Sequence, residues 1–406
     1  MDCEKLNQSL GQLRKLRNNL DNQIKAAIES GIGKQEILTI QKELSELSNS
    51  TLEEYLPDFE ASFPGIFRWK LGERTERFNG VIRVISSLSN GQFIIGGDYG
   101  KLKVYARTQD GVWKLNDEVQ GFMGKINAIT QLSDGQFVAG GNSGELKIFT
   151  KHQNGKWKLD EIINSFIGEV SALAPLSENR FVAGGGEGEL KIYTKSQNGK
   201  WEIDERIRGL FGTINVIAPL SDNQFVVGGS NGSLKVITKP QGNTQWGLGD
   251  IRGFAGDIYA IAPLSDNQFV AGGCDYDYNL RNHGELRVFT LQNDKWEPSE
   301  IIKGIKKRNG GVNAIVTLSD NQFVVGGDGG ELKIFAKDQD GEWKLSETVG
   351  GLNKKDLVNT IAPLSDDHFV IGGAKGEFKI FNRDQPTLQN LKQAILESKI
   401  ERYELQ

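Results

Sequence analysis

The sequence predicts an all-β, seven-bladed propeller, preceded by an α-helical hairpin and followed by an α-helix. Three observations carry this. Paired glycines fall at Gly96–Gly97, Gly140–Gly141, Gly184–Gly185, Gly228–Gly229, Gly272–Gly273, Gly326–Gly327 and Gly372–Gly373, in steps of 44, 44, 44, 44, 54 and 46 residues. A phenylalanine stands three residues before each pair, from Phe93 to Phe369. A tryptophan follows in six of the units, at Trp113, Trp157, Trp201, Trp246, Trp296 and Trp343. Self-similarity at this period marks a repeat architecture, and four short strands per unit mark a propeller blade.

One unit, residues 126–162, shows the four strands. INAITQL is a short apolar run, SDGQ a turn and FVAGG a second run. NSG is a tight turn, ELKIFTK alternates apolar and polar residues, HQNG turns again, and KWKLDEI is a charged, alternating fourth strand. Alternation of period two is the strand signal. The glycines suit tight turns and close strand approach. No unit contains a helical period, which excludes a helical solenoid. An open β-solenoid fits less well, because its coils are usually shorter and it needs no closure.

A ring has to close. The seventh unit runs FVIGGAKGEFKIFNRDQ and then changes character, without a fourth strand. Upstream of the first unit, Phe67–Arg68–Trp69–Lys70–Leu71 matches the fourth-strand pattern Gly155–Lys156–Trp157–Lys158–Leu159. The segment around Trp69 is therefore expected to supply the outer strand of blade 7, pairing an edge that would otherwise stay open.

The stretch FVAGGGEGELKIY resembles the second and third strands of WD40 repeats, "xxSGSxDGxIxIW", and the resemblance covers residues 67–383. It implies the seven-bladed ring. The Gly-His dipeptide of that family is absent, and its Trp-Asp ending is replaced by Phe-Thr, Tyr-Thr or Ile-Thr. The family's buried Asp-His-Ser/Thr-Trp hydrogen-bond network therefore has no residues to form it.

Outside the ring, residues 1–50 read as a helical hairpin. Leu6, Leu10, Leu13, Leu20, Ile24 and Ile28 recur at helical steps, Gly31–Ile32–Gly33 breaks the run, and Ile37, Ile40, Leu44 and Leu47 share a second stripe. Such stripes need a cover, either within the protein or from self-association through the N-terminal helices. Residues 51–66 form a linker punctuated by Pro57 and Pro64. Residues 384–406 read as a C-terminal helix starting at Asp384–Gln385–Pro386.

Composition narrows the function. A net charge of −5 and a pI near 5.6 argue against nucleic acid as the main partner. Two cysteines, Cys3 and Cys274, make no disulfide framework. With no signal peptide and no apolar run of membrane length, a cytoplasmic location without a membrane span is expected.

A ring of near-copies carries little chemistry in what it repeats, so function is sought where the copies differ. Blade 5 inserts CDYDYNLRNH between Gly273 and Gly284, and is followed by IKGIKKRNGG; blade 6 is followed by GGLNKKDL. In a propeller these segments open on one face. The candidate partner-binding residues there are Asp275, Tyr276, Asp277, Tyr278, Arg281, Lys306, Lys307 and Arg308, since Tyr and Arg are favoured at interface hot spots. Tyr259 joins them. It occupies the first-strand position that reads Arg83, Asn127, Ser171, Asn215, Tyr259, Asn313 and Asn359 around the ring. Drift in surface loops accounts for insertions equally well.

Three histidines, His152, His283 and His368, supply no nucleophile-and-base pair. Cys274, Asp277 and His283 match no metal-ligand spacing. The loose GxGxxG around Gly184 lacks the helix a phosphate cradle needs. The reading is a non-catalytic protein-interaction scaffold, with no cofactor and no metal. The alternative is a carbohydrate- or small-ligand-binding propeller, supported by the blade-wide repetition of KWKL, with a propeller enzyme third.

Overall fold

The fold comes from a computed structural model that describes residues 68–384, apart from 75–76, 90, 241, 243–244, 277–281, 303–304, 306–310, 320, 339, 353–355 and 366. At 73–74, 275–276 and 282–283 it describes the backbone alone. The expected helical hairpin, the linker and the C-terminal helix lie outside these residues, save Asp384.

Seven four-stranded antiparallel sheets form the ring. Blade 1 comprises β2 (Ile82–Leu88), β3 (Gln92–Gly97), β4 (Lys101–Arg107) and β5 (Trp113–Gln120), in spatial order from the centre outward; it follows β1 (Trp69–Arg74). The burial of each strand follows from its place. The second strand is covered on both faces by neighbouring blades, so QFVAGG at Gln136–Gly141 is buried throughout. The fourth strand is the outer edge, and WKLDEIIN at Trp157–Asn164 buries its tryptophan and leaves most of the rest to solvent.

The cores lie between blades. Leu132, Val138, Leu146 and Ile148 of blade 2 pack with Val170, Phe181, Tyr193 and Trp201 of blade 3. This explains the first glycine of each pair. A Cβ on Gly140 would come within 2.6 Å of the Val170 side chain in the next blade. In six blades the repeated phenylalanine stacks on the aromatic opposite it in the third strand, Ile237 standing there in blade 4, and in all seven it packs against the tryptophan. Phe137 lies 4.9 Å from Phe149 and 4.8 Å from Trp157 by ring centroids. Fully buried aromatics of this kind contribute about 3–5 kcal/mol each when truncated to Ala.

β1 closes the ring. It pairs antiparallel with Phe378–Arg383, placing Trp69 opposite Arg383, so blade 7 is built from both ends of the described chain. Trp69 packs 4.6 Å from Phe369, and its indole Nε1 donates to Gln322 Oε1 of blade 6 at 3.4 Å.

Two repeated devices hold blade to blade. In the fourth strand the residue three after the tryptophan is bulged, as the register shows in blades 1, 2, 3, 5, 6 and 7. In blades 1, 2, 5 and 6 the bulge turns the next residue, a carboxylate, toward the following blade. Asp117 accepts from the Trp157 amide at 2.9 Å, and Glu347 from the Trp69 amide at 3.2 Å. Charges of the outer strand thus serve as clamps between blades. Burial pushes the carboxyls of Glu300 and Glu347 above the usual range, against the lowering effect of these amide bonds. Blade 4 lacks the bulge, and there Asp250 pairs with Lys235 of its own sheet.

The second device is a third-strand lysine that reaches the connection arriving from the preceding blade. Lys147 donates to Gly121 O and lies 4.7 Å from the Phe122 ring; Lys191 donates to Ser165 O and lies 4.2 Å from Phe166. Lys379 donates to Gly351 O at 2.7 Å. Glu145, Glu189 and Glu377 pair with these cations, as burial of an ammonium group demands. This cation, aromatic and carbonyl arrangement links strand to connection in a ring whose sequence has no residues for the Asp-His-Ser/Thr-Trp network.

Candidate functional site

Antiparallel order places the start of each first strand, the turn between strands two and three, and the connection between blades on one face. Hydrogen bonds tie the two kinds of segment together. Phe122 N donates to Gly100 O at 3.2 Å, Leu352 N to Gly330 O at 2.8 Å, and Phe78 N to Gly376 O at 2.8 Å. The accepting glycines have positive φ, 70° at Gly100. A Cβ there would meet Phe122 O at 1.8 Å, so the close approach depends on glycine.

At the inner rim of this face stand the variable first-strand residues. Each is the bulged residue of its strand. Four of them stitch neighbouring blades. Asn127 donates to Val170 O at 3.3 Å, Ser171 to Ile214 O at 2.6 Å, Asn215 to Ile258 O at 3.1 Å, and Asn359 to Ile82 O at 2.9 Å. The other three bond carboxylates of their own blade: Arg83 to Asp98 at 3.0 Å, Tyr259 to Asp257 at 3.0 Å, and Asn313 to Asp328 at 3.2 Å. Four of the seven residues at this position are thus part of the blade junctions.

The blade 5 departure is not wholly a loop. Its ends lengthen the hairpin: Gln268–Tyr276 pairs with Asn282–Gln292, with Cys274 opposite Gly284, Asp275 opposite His283 and Tyr276 opposite Asn282. Alternating apolar and polar residues around Gly273 let the ladder run on. The structure brings Tyr259 to the foot of this hairpin, where Cys274 Sγ lies 3.9 Å from its hydroxyl. Asp277, Tyr278, Arg281, Lys306, Lys307 and Arg308 lie outside the described residues, as do the side chains of Asp275 and Tyr276.

The same face carries a feature that sequence reasoning missed. The connections into blades 1 to 5 each contain a hydrophobic anchor followed by a tip residue. The anchors Phe78, Phe122, Phe166 and Leu210 are buried in the core between blades. The tips after them are Asn79, Met123, Ile167 and Phe211, and Ala255 follows Phe254 in the next connection. Met123, Ile167 and Phe211 are 103%, 91% and 81% exposed. Tyr99, in the adjoining blade 1 turn at φ 70°, is 66% exposed. Positive φ is uncommon for a bulky residue. Asn79 and Ala255 show that the turn does not require a large apolar side chain. The signal available in sequence was the dipeptides Phe122–Met123, Phe166–Ile167 and Leu210–Phe211, each followed by glycine, since only one residue of each pair can face inward.

Chemistry elsewhere is sparse. Ser365, Asp367 and His368 cluster in a blade 7 turn, but Ser365 Oγ and Asp367 Oδ1 both contact His368 Nδ1, at 3.1 and 2.7 Å. A relay needs serine and carboxylate on opposite ring nitrogens. The Ser365 hydroxyl, followed by His368, holds the Asp367 carboxyl below its ordinary value, as in a turn motif. Burial pushes the Tyr193 hydroxyl up to about 12, so it stays protonated near neutrality. Among the described residues no group of three His, Cys, Asp or Glu side chains is placed to hold a metal. All seven tryptophans are at most 9% exposed. Lys151, Lys195, Lys239 and Lys337 lie over four of them. They offer no free ring face for a sugar. No helix among the described residues is long and apolar enough to cross a membrane.

No family model matches the chain, and no curated protein matches it in sequence. Among solved structures, the WD40 repeats of RRP9 superpose with a TM-score of 0.64 at 12% identity, covering 78% of this chain and 100% of that one. U3-55K gives a TM-score of 0.62 at 12% identity over 76% and 98%. The WD40 propeller domain of Doa1 gives 0.61 at 12% identity over 79% and 98%. Identity this low speaks to fold alone, and by that measure, together with its seven closed blades, the chain folds as a WD40-type β-propeller built from divergent repeats.

Proposed function

We propose that the chain is a non-catalytic scaffold for protein–protein interaction, working in the cytoplasm through the face that carries the inter-blade connections. The observation that carries this reading is the set of three consecutive connections with fully or nearly fully exposed Met123, Ile167 and Phe211. Exposing such side chains without a structural need is the mark of a contact surface, and Met and aromatic residues are enriched in interface cores. A rigid ring presents them without an ordering cost on binding. The residues singled out by sequence in blades 5–7, Asp275, Tyr276, Asp277, Tyr278, Arg281, Tyr259, Lys306, Lys307 and Arg308, would extend the surface. The segments at 1–50 and 384–406 would add oligomerisation or a second docking point.

Proximity labelling in the source cells, followed by reciprocal pull-down, tests the proposal with three proteins: wild type, Met123→Ser/Ile167→Ser/Phe211→Ser, and Tyr276→Ala/Tyr278→Ala. The triple variant is expected to lose the proteins enriched by wild type, and the double variant to weaken their recovery. Identical enrichment by all three would refute the assignment of this face.

A further inference from the structure

On the face opposite the tips, the first residue of each second strand reads Gln92, Gln136, Arg180, Gln224, Gln268, Gln322 and His368. Glutamine there serves both sides of a blade junction. Its carbonyl accepts from the blade that follows. Lys151 Nζ donates to Gln92 Oε1 at 3.2 Å and Lys195 Nζ to Gln136 Oε1 at 3.3 Å; the indoles of Trp201 and Trp69 donate to Gln136 and Gln322 at 3.4 Å. Its amide donates within the blade, from Gln136 to Thr150 at 3.2 Å and from Gln224 to Thr238 at 2.9 Å. His368 has a carboxylate partner in Asp367.

Arg180 breaks the pattern, because arginine carries N–H donors and no acceptor. The repeat sets Lys239 and Trp246 of blade 4 against it, in the places that Lys195 and Trp201 hold against Gln136. Lys239 Nζ lies 5.9 Å from the Trp246 ring, as Lys195 Nζ lies 5.7 Å from the Trp201 ring. Trp246 is buried in the core between blades 3 and 4. Thr194 is the partner of Arg180 across the ladder, as Thr150 is of Gln136. Arg180 Nε, Thr194 Oγ1 and Trp246 Nε1 are all buried without a hydrogen-bond partner. Glu178, two residues before Arg180, and Glu202, opposite Thr194, are exposed. Among the described residues neither Arg180 nor Lys239 enters an ion pair. The indoles of Trp157, Trp296 and Trp343 also lack a partner, but glutamine stands at each of those junctions. What singles out the junction of blades 3 and 4 is two cations and no acceptor. Shielded donors of this kind carry a desolvation cost that an anion offsets.

We infer that this junction binds a phosphate group. The Arg180 guanidinium and the Lys239 ammonium take its charge, and the Trp246 indole and the Thr194 hydroxyl donate to its oxygens. Arginine and lysine together suit a phosphate, and charge-assisted bonds to it are the strong ones. The donors come from two blades, so a tetrahedral oxyanion meets them better than a planar carboxylate. Arg180, Thr194 and Lys239 are each partly exposed, which leaves the group a way in from solvent. The site uses no tip residue.

Calorimetric titration of the full chain at constant ionic strength tests this with inorganic phosphate, a short phosphoserine peptide, its unphosphorylated counterpart, and acetate. Wild type is expected to bind a phosphate probe and neither of the other two. The tighter of the two phosphate probes tells a free anion from a phosphorylated protein as the source. Arg180→Gln restores the residue of the other blades and should weaken binding about tenfold or more, and Lys239→Met should weaken it separately. In phosphate-free buffer Arg180→Gln should melt no lower than wild type, since it returns an acceptor to Trp246 and a donor to Thr194. Binding of neither phosphate probe, acetate binding as tight as phosphate, or an affinity unchanged in both variants would overturn the inference.

Discussion

Phe122 and Met123 are neighbours in the chain and opposites in the structure. Phe122 is buried under Lys147, and Met123 projects fully into solvent. Phe166 and Ile167 repeat the contrast, as do Leu210 and Phe211. The anchors recur because they fill the core at one described junction after another. The tips change from one junction to the next because no junction constrains them. In a repeat protein, what the copies share holds the ring, and what they do not share is available for a partner.

Four substitutions probe this division, in order of expected effect. Trp69→Ala removes the tryptophan of the strand that closes the ring, with its contact to Phe369 and its bond to Gln322. It should cost about 3–5 kcal/mol in urea denaturation and raise the exchange of backbone amides in Phe378–Arg383. Phe122→Ala should cost about 3 kcal/mol, whereas Met123→Ser should stay within about 0.5 kcal/mol of wild type. Equal losses at the two would erase the contrast. Lys191→Met strips the buried cation from Ser165 O and Glu189, and about 1–3 kcal/mol should go with it.

The smallest effect concerns pH. The native carboxyls of Glu300 and Glu347 are raised by burial, so the native state holds their protons more readily than the unfolded chain does. Their contribution to stability is present in full below the unfolded value and is lost as pH rises through the native value. Glu347→Gln keeps an acceptor for the Trp69 amide and removes the charge. It should raise stability at about pH 7 by about 1 kcal/mol or less and change nothing at about pH 3. A variant less stable than wild type at neutral pH would show that the ionised clamp itself is needed.

The propeller was legible because its period, its glycine pairs and its phenylalanines are all local. Counting tryptophans pointed upstream of blade 1, and the strand pairing of Trp69 with Arg383 lies there. The clamps were not legible. A carboxylate four residues after tryptophan in an alternating strand reads as an outward charge, and only the bulge before it turns it inward. The role of the rim residues was hidden for the same reason, since nothing in the sequence shows that the strands carrying Asn127 and Asn359 bulge so that these side chains reach the next blade. The blade 5 insertion was visible as broken spacing, but its growth into a longer hairpin depends on cross-strand pairing. The tips escaped because composition cannot say which member of Phe166–Ile167 faces the core.

The central claim is that the tips serve a partner and not the fold. The most direct measurement pairs two readouts on the full chain: thermal melting, and affinity for a partner identified with wild type by proximity labelling. For Met123→Ser/Ile167→Ser/Phe211→Ser the account predicts an unchanged melting temperature and an affinity weaker by about tenfold or more. A lowered melting temperature with undiminished affinity would contradict it.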